Sequence, residues 1–317
     1  MKTDIQLRFL VASALFASMT ATVSARSWRI NNDATKKAHF TSINAAMSSA
    51  DVADGDTLYL DPGCIVSEQT ISKSVTVIGT GWGSKAHSIA YLTGTTVISK
   101  ANTKFEGVYC TGIVSLRASY ITLERCKFDG YLTSSNYTAQ FVTIRQCRIS
   151  NYITGLGATS NNTIGWTIEN NVIVSDSNLG TVRELYNCTI RNNYICNTST
   201  YTGSGQPSAL RNINGGNITN NILMNVKNSR AQTMWGVSNS NVQDNVLSAD
   251  SMKYASTYPE NICLNMGYAD AETALFVKTG EDVLWYQITA DSPARGAGTS
   301  ARTVVPSLAT IRLSFPE

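Results

Sequence analysis

The chain has few charged residues and no strong excess of either sign. Charged side chains make up 15% of the 317 residues and the formal net charge is +3, whereas soluble domains usually carry about 25%. With so small a net charge and no basic run, we predict neither a nucleic acid nor a membrane surface as partner. Asparagine takes part of the place of charge: the chain has 27, of which 20 lie between residues 151 and 245.

Histidine is scarce, and the cysteines are not spaced as metal ligands. The two histidines, His39 and His87, precede or lie near the first repeats, which argues against a Ser-His-Asp triad on the strands. The seven cysteines form no Cys-x-x-Cys pair, and the chain lacks the acidic cluster of a strong calcium site. Because the cysteines are odd in number and sit within the repeats, we predict small buried apolar side chains and no disulfide framework.

Only the N-terminus contains a long apolar run. Lys2 and Arg8 accompany an apolar stretch from Phe9 to Val23, and Val23-Ser24-Ala25 supplies the small residues of a cleavage site. We interpret residues 1–25 as a signal peptide. A membrane anchor is the alternative, but the many Ala, Ser and Thr residues disfavour it. The sequence therefore predicts a secreted protein (periplasmic, cell-surface or extracellular), and we expect a monomer.

A short strand-like segment is repeated along the chain. Its fourth residue, which we call the slot, is Asn or Cys, and the segment recurs every 21 to 28 residues. A period of this length is typical of a solenoid, in which each repeat stacks on the next. The six segments are residues 123–128, 144–149, 168–173, 190–195, 218–223 and 242–247.

The slot residues are predicted to form a structural column and not a catalytic one. Asn171, Asn193, Asn221 and Asn245 would lie about 4.8 Å apart, so their amides can hydrogen-bond in an asparagine ladder. We also assign to the slot the left-handed backbone of the bend, which Asn tolerates. The positions three before and two after the slot are apolar in every segment and are predicted to form the core.

Outward columns flank the slot on both sides. Two residues before it the charges alternate in sign, which favours ion pairs that fix the stacking register over a charged binding strip. These charged residues are Glu124, Arg145, Glu169 and Arg191. One residue after the slot, four later repeats carry apolar side chains, for which we predict a cover. These apolar residues are Val172, Tyr194, Ile222 and Val246.

The ends of the repeat array are predicted to be capped. Residues 26–56 would form an N-terminal cap, with a helix between Phe40 and Ala50 that Thr41 or Ser42 caps and that covers the open end of the solenoid. Its apolar face would consist of Ile43, Ala46 and Met47. Residues 57–250 would form the solenoid, and residues 251–317, which lose the repeat, a capping tail.

Several segments resemble a known group of proteins. Residues 40–46, 55–60 and 72–79 are similar to the opening of secreted right-handed parallel β-helix proteins of the pectate-lyase-like superfamily, and residues 291–298 to the tail of many bacterial members. The resemblance implies an all-β, right-handed parallel β-helix with an N-terminal helical cap. It leaves the activity open, because the group includes lyases, hydrolases, esterases, epimerases and non-catalytic proteins.

A candidate site follows from counting ten residues back from the slot. That column is read as Tyr137, Asn161, Arg183, Arg211 and Trp235. Two guanidinium groups can bind carboxylates or sulfates through paired hydrogen bonds, and an indole suits the apolar side of a sugar ring. An ordinary surface cation–π stack is the alternative.

Two neighbours complete the candidate site. Glu184 beside Arg183 could act as an acid or base, and Tyr201, within the insertion of residues 198–208, could stack on a sugar. We therefore predict Arg183, Arg211 and Glu184 as catalytic candidates. The predicted substrate-binding residues are Arg183, Arg211, Trp235, Tyr201 and Tyr137.

The sequence predicts a polysaccharide or other glycan as partner, bound along a stacked-coil face. Whether the protein cleaves it stays open. Lyases of the resembling group use Lys or Arg as base and often Ca²⁺, so calcium would be a cofactor only if the protein is a lyase, and otherwise we predict none. The alternatives are a glycoside hydrolase and a non-catalytic structural or adhesive surface module.

Overall fold

The structure is a computed structural model that describes residues 24–82, 88–157, 161–201, 205, 207–225, 232–248, 257, 259–264, 276–277 and 287–288. The predicted signal peptide up to residue 23, His87 and most of the predicted tail lie outside these residues. Within them the chain forms a parallel β-helix, in which a sheet of 24 strands is built from parallel pairings between successive coils. The predicted all-β solenoid is confirmed, and its right-handedness stays a prediction.

Each coil contributes strands to three faces, which we name A, B and C in chain order. Strands with the same place in successive coils pair in parallel, because the repeat brings like residues into register. Face A consists of β1 (Ser27–Ile30), β2 (Thr57–Leu60), β4 (Thr76–Ile78), β6 (Lys104–Glu106), β9 (Thr122–Glu124), β12 (Thr143–Arg145), β15 (Thr167–Glu169), the second halves of β17 (Gly180–Arg191) and β19 (Ser208–Thr219), and β22 (Ser238–Gln243).

Face B follows the slot and face C completes the coil. Face B consists of the first parts of β3 (Ile65–Ile71) and β5 (Tyr91–Ile98), then β7 (Tyr109–Cys110), β10 (Lys127–Phe128), β13 (Arg148–Ile149), β16 (Val172–Ser175), β18 (Tyr194–Asn197), β20 (Ile222–Asn225), β23 (Val246–Ser248) and β24 (Ile262–Leu264). Face C consists of the last parts of β3 and β5, then β8 (Val114–Leu116), β11 (Leu132–Thr133), β14 (Ile153–Thr154), the first halves of β17 and β19, and β21 (Met234–Trp235).

The parallel sheet is longer at both ends than residues 57–250. At the N-terminus β1 already pairs with β2, and at the C-terminus β24 pairs with β23. The sequence did not predict the C-terminal extension, because Asn261 follows Asn245 after only 16 residues. Beyond this sheet, β25 (Phe276–Val277) and β26 (Gln287–Ile288) form an antiparallel pair.

The predicted N-terminal helix is present as α1 (Ile43–Ser48). Ser42 is its N-cap, with Oγ accepting a hydrogen bond from the backbone N–H of Ala45 at 3.0 Å. Its buried residues Ile43, Ala46 and Met47 belong to the same apolar core as the strands. Two short 3₁₀ helices cover Ala34–Lys36 and Asn161–Thr163. In the described ranges, no helix has the length and apolar character needed to cross a membrane.

The asparagine ladder is present and continues one coil further than predicted. Nδ2 of each slot asparagine donates to Oδ1 of the next, at 3.0 Å from Asn171 to Asn193, 2.9 Å from Asn193 to Asn221, 2.9 Å from Asn221 to Asn245 and 2.8 Å from Asn245 to Asn261. The backbone N–H of each residue donates to the same oxygen. Every buried amide is thereby satisfied along the column.

The two slot cysteines continue this column towards the N-terminus. The backbone N–H of Cys147 donates to Oδ1 of Asn171 at 2.9 Å, and that of Cys126 to Sγ of Cys147 at 3.4 Å. A thiol thus takes the place of the amide oxygen. All seven cysteines lie among the described residues, none is in a disulfide, and all except Cys263 are buried, as the sequence predicted.

The left-handed backbone falls on the residue before the slot, so its assignment to the slot was wrong. Positive φ angles occur at Arg125 (53°), Gln146 (55°), Asn170 (55°), Asn192 (56°), Asn220 (56°) and Asp244 (57°). The slot side chain must point into the coil to reach its neighbours in the ladder. The reversal of the chain is therefore completed one residue earlier.

The outward columns of faces A and B differ in character. On face A, Arg145 bonds Glu124 at 3.0 Å and Arg191 pairs with Glu169 at 2.6 Å, which confirms ion pairs between adjacent coils. On face B the apolar column of later coils is buried although it points away from the core. Its cover by the tail lies largely outside the described residues and stays a prediction.

Candidate functional site

Face C carries Arg183, Arg211 and Trp235 on three successive coils. Arg183 pairs with Arg211 in the register of β17 and β19, and Arg211 pairs with Trp235 in that of β19 and β21. The residues before them, Val182, Leu210 and Met234, are buried in the core. Because side chains alternate along a strand, the three candidates point outward from adjacent strands about 4.8 Å apart.

Tyr137 does not belong to this column. The residue in register with Arg183 on the preceding coil is Thr154, which in turn pairs with Thr133. Tyr137 lies outside the strands of face C, where the guanidinium carbon of Arg117 sits 4.4 Å from its ring centroid. The segment between faces C and A differs in length from coil to coil. Counting ten residues back from the slot therefore did not find the residues in register with Arg183, and neither Tyr137 nor Asn161 is in register with it.

Two tyrosines that the sequence analysis missed lie on face C of the two preceding coils, two residues before Thr133 and Thr154 and therefore in the neighbouring outward column. The rings of Tyr131 and Tyr152 are stacked, with centroids 4.7 Å apart and planes 10° from parallel. The guanidinium carbon of Arg183 lies 4.0 Å from the centroid of Tyr152. The sequence does contain a pattern that predicts this stacking, because Tyr131-Leu132-Thr133 and Tyr152-Ile153-Thr154 repeat one motif on successive coils. We call Tyr131, Tyr152, Arg183, Arg211 and Trp235 the face C strip.

The guanidinium of Arg183 is held by the protein itself. Its Nη1 donates to Oγ of Ser177 at 3.1 Å and to the carbonyl oxygen of Gly180 at 3.0 Å. Burial lowers the pKa of Arg183 below its ordinary value, the charge of Arg211 acts in the same direction, and Tyr152 and Glu184 act against it. The residue is therefore fixed in place with part of its hydration lost.

Arg211 differs from Arg183 in having an unused donor. Its Nη1 atom is buried and has no hydrogen-bond partner among the described residues, and a buried cationic donor without an acceptor is costly. Gly180 makes room for the pair, because a Cβ atom there would lie 2.4 Å from Cβ of Arg211 and 3.3 Å from Cβ of Arg183. Arg211 as a whole is only half-buried, so its guanidinium can still receive an anionic ligand while Arg183 stays on Tyr152.

Glu184 lies beside the strip in a left-handed conformation. Its φ is 60°, and the in-register neighbours Asn212 and Gly236 have φ of 48° and 62°. Oε1 of Glu184 accepts a hydrogen bond from Nδ2 of Asn212 at 2.7 Å. The second oxygen has no hydrogen bond to the described residues, so the carboxylate is oriented and could exchange a proton with a ligand.

Tyr201 belongs to a loop that borders the strip. It is exposed, and its ring lies against Gly205, where a Cβ atom would come within 2.9 Å of Tyr201 Cε1. The same Cβ atom would lie 2.4 Å from the carbonyl oxygen of Asn178, next to the Ser177 that binds Arg183. The loop is thus linked to the strip through residues 177–178.

A calcium ion finds no ligand set at this position. Among the described residues, no three His, Cys, Asp or Glu side chains lie together as a metal site would require. Around the strip, Glu184 supplies a carboxylate whose Oε1 already accepts from Asn212, and Ca²⁺ binds through six to eight oxygens. The described residues around the strip do not fit that ion.

The face C strip therefore combines two stacked phenols, two guanidinium groups and an indole on five successive coils. Such a surface suits a long ligand with a repeating structure, because each coil offers one contact from one of two neighbouring outward positions. Comparison of the chain with protein-family models, with curated proteins and with solved structures found no match.

Proposed function

We propose that the protein is secreted and binds an acidic polysaccharide along the face C strip. The observation that carries the proposal is the alignment of two guanidinium groups and an indole, Arg183, Arg211 and Trp235, at the same outward position of three successive coils. A carboxylate or sulfate group bound at Arg211 would form charge-assisted hydrogen bonds with its guanidinium. The ring of Trp235 on the next coil would support the apolar side of a neighbouring sugar unit.

The contacts of each residue indicate its role in binding. Arg183 is already engaged by Tyr152, Ser177 and Gly180, so it acts mainly through its charge and by holding the tyrosine ring in place. Arg211 and Trp235 make the direct contacts. Because guanidinium and aromatic side chains dominate binding energy in most interfaces, these two should carry most of the affinity.

A binding assay tests this proposal. Affinity electrophoresis through gels that contain polygalacturonate, alginate or a sulfated polysaccharide should retard the wild-type protein. Arg211→Gln and Trp235→Ala should each weaken retardation at least tenfold, which corresponds to about 1.4 kcal/mol. Arg191→Gln, which removes a similar charge from face A, is the matched control. Equal migration of all four proteins on every polymer would reject binding on face C.

A lyase is the second candidate, and the desolvated guanidinium of Arg183 favours it. In such a reaction a base takes the proton from the carbon next to the uronate carboxyl group, a C=C bond forms, and the C–O bond to the leaving sugar breaks. Burial lowers the pKa of Arg183, which is the direction a base requires, and Glu184 could return a proton to the leaving oxygen. An absorbance assay for unsaturated uronates tests this candidate: binding without any absorbance change excludes a lyase.

A further inference from the structure

Tyr120 and Phe141 form an exposed aromatic pair that does not belong to the face C strip. They occupy the turn that leads from face C to face A on two successive coils. Their ring centroids are 5.2 Å apart with planes 17° from parallel, and the residues are 54% and 45% exposed. Single exposed aromatics are common on protein surfaces, but a stacked pair in register is a built feature.

The backbone at Tyr120 and Phe141 has a conformation that favours Gly and Asn over aromatic residues. Tyr120 and Phe141 have φ of 60° and 55°, a left-handed conformation that disfavours bulky side chains. At the same turn the other coils place residues that tolerate it, namely Asn102, Gly165, Asn187, Gly215 and Asn239. The two aromatic rings therefore lower stability where they stand, which points to a function outside folding.

The two rings are held rigidly. The backbone N–H of Tyr120 donates to the carbonyl oxygen of Gln140 at 2.8 Å, and that of Phe141 to the carbonyl oxygen of Ile164 at 2.9 Å. The Cδ1–Cε1 edge of Phe141 also packs against Gly165, because a Cβ atom there would come within 2.6 Å of Phe141 Cδ1. A ligand would meet a surface that is already ordered and would lose little entropy on binding.

The surroundings of the pair are polar, and the nearby charges are paired. Two residues after each ring, Thr122 and Thr143 point outward on face A in register with each other. Their hydroxyl groups make no hydrogen bond to the described residues. Lys104, in register with Thr122, and Arg145 each pair with the carboxylate of Glu124 at 3.0 Å. The site thus offers aromatic surface and hydroxyl groups without a free charge.

We propose that Tyr120, Phe141, Thr122 and Thr143 form a second carbohydrate site, which binds an uncharged polysaccharide. The rings contact the C–H faces of the sugars, and the threonine hydroxyls exchange hydrogen bonds with the sugar hydroxyls. This site does not depend on the face C strip, which lies on another face. The protein would then bridge two kinds of glycan, one acidic and one neutral.

The test uses replacements that suit the backbone. Tyr120→Asn and Phe141→Asn install the residue that other coils carry at this turn, so both variants should unfold at the same denaturant concentration as the wild type or a higher one. Affinity electrophoresis in hydroxyethyl cellulose, xylan and galactomannan should retard the wild type on at least one polymer. Each variant should weaken that retardation at least tenfold.

The controls separate this proposal from acidic-polysaccharide binding. Arg211→Gln should leave retardation on the neutral polymer unchanged, and Tyr120→Asn should leave retardation on polygalacturonate unchanged. The proposal is overturned if the wild type binds none of the neutral polymers, or if both asparagine variants bind them as before. It also fails if the variants unfold more readily, which makes the rings structural, or if sedimentation shows a dimer that Tyr120→Asn abolishes.

Discussion

Asn193 donates to one oxygen of Asn221 twice. Its Nδ2 reaches Oδ1 of Asn221 at 2.9 Å and its backbone N–H reaches the same atom at 3.0 Å. Nδ2 also donates to the carbonyl oxygen of Ile168 at 2.8 Å. One buried side chain therefore joins three coils, and the registration of these coils is what aligns Arg183, Arg211 and Trp235 on face C.

Removing this side chain should destabilise the protein strongly. In Asn193→Leu, the amide of Asn171 loses its acceptor and the carbonyl of Ile168 loses a donor, and each unsatisfied buried group costs about 1–3 kcal/mol. We expect a loss of about 3 kcal/mol or more in the free energy of unfolding, measured by urea denaturation. Asn192→Gly, one residue earlier, is the control and should change stability by less than about 1 kcal/mol. Similar losses for both variants would contradict a ladder-specific role.

The left-handed position before the slot predicts a stabilising change. Gln146 has φ of 55°, and the next three coils place Asn at this position. Since Asn visits this conformation more readily than Gln, Gln146→Asn should raise the free energy of unfolding by about 1 kcal/mol. The reciprocal variant Asn192→Gln should lower it by a similar amount. If neither variant differs from the wild type in thermal unfolding, the left-handed conformation at the bend does not favour Asn over Gln.

The buried carboxylate of Glu124 predicts a loss of stability in acid. Burial alone would raise the pKa of Glu124, but the hydrogen bonds and charges of Lys104 and Arg145 outweigh it and hold the pKa below the ordinary value. Since the ionised form is favoured in the folded state, its contribution is present above the ordinary glutamate pKa of about 4.3. It is lost as the pH falls through the lower folded value.

The measurement is the free energy of unfolding of wild type and Glu124→Gln at several pH values. The difference between the two proteins should be largest near neutral pH and should shrink below pH of about 4. A difference that stays constant across this range would mean that the ion pairs with Lys104 and Arg145 do not set the pKa of Glu124.

Gly180 is predicted to position the two arginines. A methyl group at this residue would lie 2.4 Å from Cβ of Arg211, closer than two carbon atoms can approach without displacement. Gly180→Ala should therefore shift Arg211 and weaken polygalacturonate binding about tenfold, with a modest loss of stability. Thr189→Ala, an outward residue on face A, should leave binding unchanged. Unaltered affinity of Gly180→Ala would separate Arg211 from the binding site.

The sequence predicted the register of face C correctly only where the coils are regular. From Arg183 onward each coil keeps a fixed distance between face C and the slot, so counting back from Asn193, Asn221 and Asn245 found the Arg-Arg-Trp column. In earlier coils, residues 134–140 and 155–164 intervene between faces C and A with different lengths. Counting across these segments assigned Tyr137 to a column in which Thr133 and Thr154 stand.

Interactions that depend on side-chain orientation were harder to predict. Tyr131 and Tyr152 stack within one column. The stacking of Arg183 on Tyr152 joins two neighbouring columns, because Arg183 leans back towards the preceding coil. The left-handed residue was also misplaced by one position, since Asn occurs both at the slot and just before it in three repeats. The frequency of Asn in the repeats indicates that Asn occupies the bend. Which of two consecutive Asn residues has the left-handed conformation depends on the direction of each side chain.

The most direct test of acidic-polysaccharide binding on face C is calorimetric titration with polygalacturonate and with the same polymer after its carboxyl groups have been reduced to alcohols. We predict that the wild type binds the native polymer at least tenfold more tightly, that salt weakens this preference, and that Arg211→Gln abolishes it. Equal affinity of the wild type for both polymers, or an undiminished preference in Arg211→Gln, would contradict recognition of a carboxylate by the face C strip.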